Sequence, residues 1–153
     1  MNISKTYNNK KGSYIFEPVV DEAALIKDLQ TSCYSLDLFS NFASSLYKIV
    51  FERTKDNKNG TDLPKARLPT PFKRNNQFID IIDIMRHSLG GGHLMDTFTP
   101  RPGQISKAKM LEILVGNNNE PNTPEEFYNL QISTLKLFEK ELNNLNTIVR
   151  AIN

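Results

Sequence analysis

Leu25 to Val50 reads LIKDLQTSCYSLDLFSNFASSLYKIV. Apolar or small residues recur in it at Leu25, Leu29, Ser32, Leu36, Phe39, Ala43, Leu46 and Val50, in alternating steps of four and three. That is the a/d spacing of a helix packed lengthwise on another helix. Asp21 stands where it can cap the start, and Pro18 keeps the chain before it out of the helix. No breaker intervenes before Asn59-Gly60, so the spacing predicts one helix over 21–54, about 33 residues and roughly 50 Å long.

A second stripe must meet the first. Thr123-Pro124-Glu125-Glu126 combines a capping box with proline at the first helical position and two acids that complement the helix dipole. Tyr128, Leu135, Phe138, Leu142, Leu145, Val149 and Ile152 then carry a heptad stripe that misses one step, at Gln131. A helix over 123–152 is expected, lying alongside 21–54. Between them, Phe78, Ile82, Met85 and Leu89 mark one face of a helix from Asn76 to Leu89, and Ile79, Ile81 and Ile84 widen its apolar surface. It should be well buried, packed between or against the two long helices. Gly90-Gly91-Gly92 ends it, because three glycines make helix continuation costly. A fourth helix is expected over Ile105 to Val115, closed by Gly116 and the turn-forming Asn117-Asn118-Asn119. Thr99 to Gly103 and much of Lys55 to Phe72 read as loops. Ser13 to Val20 reads as a short strand or an extended arm.

The expected fold is thus an all-α bundle of four or more helices with long first and last helices. Residues 1–20 form an arm and 21–153 a single domain. The 153-residue length leaves room for one core. Hydrophobic residues at 39% and charged residues at 24% exclude collagen-like, low-complexity and fully disordered classes. No apolar run is long enough to span a bilayer, and Met1 to Lys11 lacks the apolar stretch of a signal peptide. A cytoplasmic location without membrane contact is expected. Cys33 is the one cysteine, which excludes an internal disulfide, and its place in an apolar pattern makes it a buried thiol.

The net charge of +2 is unevenly spread. Arg53, Lys55, Lys58, Lys65, Arg67, Lys73 and Arg74 face only Asp56 and Asp62 between positions 53 and 74, a local +5. Within that segment Lys65, Arg67, Lys73 and Arg74 are candidate RNA contacts through phosphate; a merely solvated connection is the other reading. Phe72 could stack a base or anchor the loop in the core.

Both histidines fall in Arg86-His87-Ser88-Leu89-Gly90-Gly91-Gly92-His93. Imidazoles move protons near neutral pH, and a guanidinium suits the charge of a phosphate in displacement. A straight helix would put Arg86 and His93 on one face roughly 10 Å apart; the glycines could let His93 turn back toward Arg86. Alternatively, His87 and His93 are exposed polar residues at a helix end and in a loop. His87 and His93 with Asp83 or Asp96 could also be read as metal ligands, against a solvated helix face for Asp83. No metal or other cofactor is expected. The glycines form no P-loop, since no Gly-Lys-Ser/Thr follows them, and no nucleophile-elbow sequence supports a serine hydrolase.

At Arg86, His87 and His93 the sequence resembles the HEPN superfamily. These are small helical bundles, many of them ribonucleases, with an arginine, a polar residue and, a few residues later, a histidine. Six residues separate Arg86 from His93, and the plan of long first helix, buried helix leading into the motif and closing helix is similar. The resemblance implies a metal-independent endoribonuclease in which the RNA 2′-hydroxyl attacks the adjacent phosphate, leaving a 2′,3′-cyclic phosphate and a 5′-hydroxyl. It assigns His93 as general acid or base, Arg86 to neutralise phosphate charge, and His87 to orient these groups or assist proton transfer. It also implies a homodimer whose two motifs share a cleft, and a toxin–antitoxin, abortive-infection or CRISPR-associated setting with an antitoxin or defence partner. The reading from a different class is a non-catalytic helical module for binding or oligomerisation.

Overall fold

The structure, a computed structural model, describes residues 15–17, 19–55, 65, 67–74, 76–88 and 99–152. Among these there are six α-helices, one π-helical turn and no strand. The helices are α1 (Glu22–Gln30), α2 (Leu36–Tyr47), α3 (Thr70–Lys73), α4 (Gln77–Ser88), α5 (Lys107–Val115) and α6 (Pro124–Ala151). The π turn, Lys48–Glu52, continues α2. The expected all-α bundle is what the chain forms. Its long closing helix is α6, 28 residues in length. Leu89, Gly90, Gly91, Gly92, His93 and Asp96 lie outside the described residues, as does Asn59-Gly60.

The single first helix over 21–54 is not formed. It is broken between Gln30 and Leu36, and its stripe positions at the break, Ser32 and Leu36, are exposed. Thr31-Ser32-Cys33-Tyr34-Ser35 contains no glycine or proline, yet three of its five side chains carry aliphatic hydroxyls that compete for backbone partners. Thr31 turns extended and donates its hydroxyl to the Lys27 carbonyl at 2.8 Å. Ser35 caps α2 by accepting from the Leu38 amide. Asp21 occupies the α1 N-cap position without a side-chain capping bond.

What the break exposes, α6 satisfies. The Gln131 side chain is buried and accepts the Cys33 N–H at 2.9 Å through its carbonyl. Its amide donates to the Thr31 carbonyl at 2.8 Å and the Leu29 carbonyl at 3.4 Å. The missing step in the second stripe is therefore an inward-facing residue. The buried face of α6 runs through Phe127, Leu130, Gln131, Thr134, Leu145 and Val149. Tyr128, Leu135, Phe138, Leu142 and Ile152 of the expected stripe are only half-buried. Tyr128 stacks on Tyr34 at 5.5 Å, and Phe127 meets Phe39 at 6.1 Å, so α6 lies along the broken first segment.

α4 is the centre of the bundle and packs against α2, α5 and α6. Ile81, Ile82, Ile84 and Met85 have almost no exposed surface. Asn76 starts the helix by accepting from the Phe78 amide. α5 ends as expected at Gly116, whose positive φ of 78° suits a residue without a Cβ. Inside the expected loop of residues 55–72, Pro69 and Pro71 start the short turn α3, which seats Phe72 in the core. Phe72 is thus an anchor, with no ring face left for a base. From the arm, Ile15 is fully buried, and Glu17 and Arg53 exchange hydrogen bonds of 2.8 and 2.7 Å.

The capping box forms as expected: Thr123 Oγ1 accepts from the Glu126 amide, and Glu126 accepts from the Thr123 and Asn122 amides. Thr123→Ala is expected to lower stability by about 1 kcal/mol in urea unfolding. The two backbone donors hold the Glu126 carboxyl below its ordinary 4.5. A depressed folded-state value means that its contribution is complete above 4.5 and is lost as pH falls through the lowered value. The stability gap between wild type and Glu126→Gln should therefore be larger at pH 7 than at pH 3, and an equal gap at both would count against this bond.

Candidate functional site

α4 is buried nearly all round until its last turn, where Arg86 and His87 reach the surface. The Arg86 cation at the helix C-terminus also complements its dipole. One turn earlier stands Asp83, whose side chain is 6% exposed. It is not on a solvated face: α4 has apolar neighbours on every side, so the carboxylate needs protein partners. His87 Nε2 lies 3.4 Å from Asp83 Oδ1. Asp83 Oδ2 accepts from Gln104 Nε2 at 2.9 Å and pairs with the Arg101 guanidinium. Both of those partners come from the connection between α4 and α5.

Tyr47, the last residue of α2, forms the other wall. The His87 ring meets it edge-on, 5.9 Å between centroids and 80° between planes. The Arg86 guanidinium carbon lies 6.0 Å from the Tyr47 centroid, within cation–π reach. Phe51 stacks on Tyr47 at 4.3 Å, and Lys65 Nζ sits 4.7 Å from the Phe51 centroid. Burial and the Glu52 carboxylate push the Tyr47 hydroxyl above its ordinary value, with Arg86 and Arg101 pulling the other way. Tyr47 is a neutral hydrogen-bond donor at pH 7. Burial and the charge of Arg101 lower Lys65, while Asp80 opposes them.

The structure thus brings Arg86, His87 and Lys65 into one neighbourhood. His93, the third member of the motif, lies outside the described residues. Arg67 is elsewhere: its side chain is 8% exposed and pairs with Glu17 of the arm, which leaves it little surface for a ligand. Lys73 is half-buried at the end of α3, close enough for its charge to act on Lys65. Arg74 is exposed and lines a groove of about 390 Å³ with Asn76, Lys140 and Asn144. Cys33 is fully buried, and burial pushes its thiol up to about 11, so it is no nucleophile at neutral pH. Among the described residues no three His, Cys, Asp or Glu side chains are grouped to hold a metal, and no helix is long and apolar enough to cross a membrane.

Sequence reasoning missed Tyr47, Arg101 and Gln104. Tyr47 is far from the motif in sequence, and Arg101 follows it in a loop with nothing local to pair it with Asp83, but Asp83 itself carried a signal. Isoleucines at positions 81, 82 and 84 surround Asp83 in sequence and mark it as part of the helix's apolar surface.

Two outcomes follow from this arrangement. Asp83→Ala should lower stability by about 1–3 kcal/mol, because Gln104 and His87 lose their acceptor, as read by urea unfolding. Cys33 should react with a disulfide reagent at pH 7 only at the rate of global unfolding, and fast labelling of the native chain would contradict its burial.

Comparison of the chain with protein-family models, with curated proteins and with solved structures gives no match.

Proposed function

We propose that this chain is a HEPN-like, metal-independent endoribonuclease working in a toxin–antitoxin or defence setting. The observation that supports the reading is the emergence of Arg86 and His87 from an otherwise buried helix, with the imidazole set against the carboxylate of Asp83. A carboxylate that orients an imidazole suits proton transfer. The adjacent guanidinium suits charge building on a phosphate. In the proposed reaction the 2′-oxygen bonds to phosphorus as its proton passes to a base, and the bond from phosphorus to the 5′-oxygen breaks as that oxygen takes a proton from an acid. His93 serves as acid or base, Arg86 stabilises the phosphorane, and His87 orients the groups or carries the second proton. Lys65, near Arg101 and the Tyr47–Phe51 stack, steers the RNA backbone. A homodimer would place two such motifs on one cleft.

The second reading is a helical module that binds a partner or itself without catalysis. Exposed Ile26, Tyr34, Leu36 and Leu38, around the break between α1 and α2, favour it.

The deciding experiment measures cleavage of single-stranded RNA by the purified chain. Arg86→Ala and His93→Ala are each expected to reduce cleavage by about 10²–10⁴-fold with unchanged circular dichroism, and His87→Ala to do so less. EDTA should have no effect. Cleavage that survives both alanine changes, or stops with EDTA, would overturn the assignment, and no cleavage by any form would favour the binding module.

A further inference from the structure

Arg101 lies outside the motif, on the connection between α4 and α5, yet it is among the best-positioned cations of the site. Pro100 and Pro102 flank it and fix two backbone angles. Its N–H donates to Gln104 Oε1 at 3.1 Å, while its carbonyl accepts the Gln104 N–H at 2.9 Å. Gly103, at a φ of 82°, makes the turn between them. The Gln104 side chain also donates to Asp83, so this turn is pinned to the central helix at two points.

The Arg101 side chain is nonetheless 68% exposed. A guanidinium offers five N–H donors, and the one carboxylate holding it is shared with Gln104 and His87. Asp83 therefore fixes Arg101 without consuming it. Its positive charge acts on Tyr47 together with that of Arg86, and on Lys65. Opposing carboxylates are present: Glu52 acts on Tyr47, Asp80 acts on Lys65, and Asp83 is engaged as described. Cations held this close repel one another, and an anion placed among them relieves that repulsion.

We propose that Arg101 is a second phosphate-binding residue of this site, gripping an RNA backbone phosphate alongside Arg86. The proposal rests on the ribonuclease reading for the identity of the ligand, and Arg101 acts by binding, with no part in proton transfer.

The probe is a short single-stranded 2′-deoxy oligonucleotide, which lacks the attacking hydroxyl and stays intact. Its affinity is measured by fluorescence anisotropy between about 50 and 200 mM salt. Arg101→Gln keeps a donor for Asp83 and removes the charge. The expected result is binding weaker by about tenfold at the lowest salt and a salt slope reduced by about 0.7, the loss of one single-strand phosphate contact. In the wild-type chain, the bound oligonucleotide should also slow phenylglyoxal modification of Arg101, a test independent of how any variant folds. An unchanged slope in Arg101→Gln, unprotected Arg101, or no binding by the wild type would overturn the proposal. RNA cleavage is assayed in parallel. A slope loss in a chain that cuts no RNA keeps Arg101 as a phosphate ligand and removes the nuclease, whereas cleavage with an unaltered slope removes only the role of Arg101.

Discussion

The carboxamide of Gln131 is the contact on which the bundle turns. A chain that leaves helix at Thr31 and re-enters it at Ser35 strands backbone donors and acceptors near the core, where an unmet hydrogen bond costs about 1–3 kcal/mol. Gln131 meets the buried Cys33 amide with its oxygen and the Thr31 and Leu29 carbonyls with its nitrogen. One side chain thereby ties the start of the chain to its last helix across about a hundred residues of sequence. The neighbours follow from that register. Tyr34 comes to lie on Tyr128 and Phe39 against Phe127, while Cys33 takes the buried place that Ser32 would have held in a continuous helix.

The break also shapes the candidate site. With α1 released from the line of α2, the two segments pack on each other, joined by the 2.6 Å bond from Ser45 to Asp28, and α2 is free to lie along α4. Its final residue, Tyr47, then stands beside the last turn of α4, where Arg86 and His87 emerge. The π turn that follows carries Phe51 back onto Tyr47. A buried acid on α4 completes the arrangement by drawing the connection to α5 over the helix end. The polar site is a product of core packing, since each of its walls is the end of a buried element.

Much of the fold was legible because it rests on local rules. Periodicity placed α4 and α6; Thr123-Pro124-Glu125-Glu126 named the start of α6, and Gly116 the stop of α5. The first helix was misread for a physical reason. Its heptad steps hold on both sides of the break, and a run of hydroxyl residues weakens a helix without forbidding it. Whether it breaks depends on a partner that supplies hydrogen bonds, and that partner is a long-range one. The same logic hid the site. Arg86 and His87 were found from their chemistry and spacing. The partners that position them, a buried Asp83 and an exposed Arg101, form an ion pair that only the packed bundle creates. The isoleucines around Asp83 hinted at burial, but nothing local named Arg101 as its counterion.

The most direct test of the Gln131 clamp is the stability of Gln131→Leu in equilibrium urea unfolding. By the heptad pattern alone, leucine fills the missing step of the stripe and should stabilise the bundle. If Gln131 is the partner of the broken segment, leucine leaves the buried Cys33 N–H without its acceptor, and stability should fall by about 1–3 kcal/mol. Unchanged or increased stability would contradict the account.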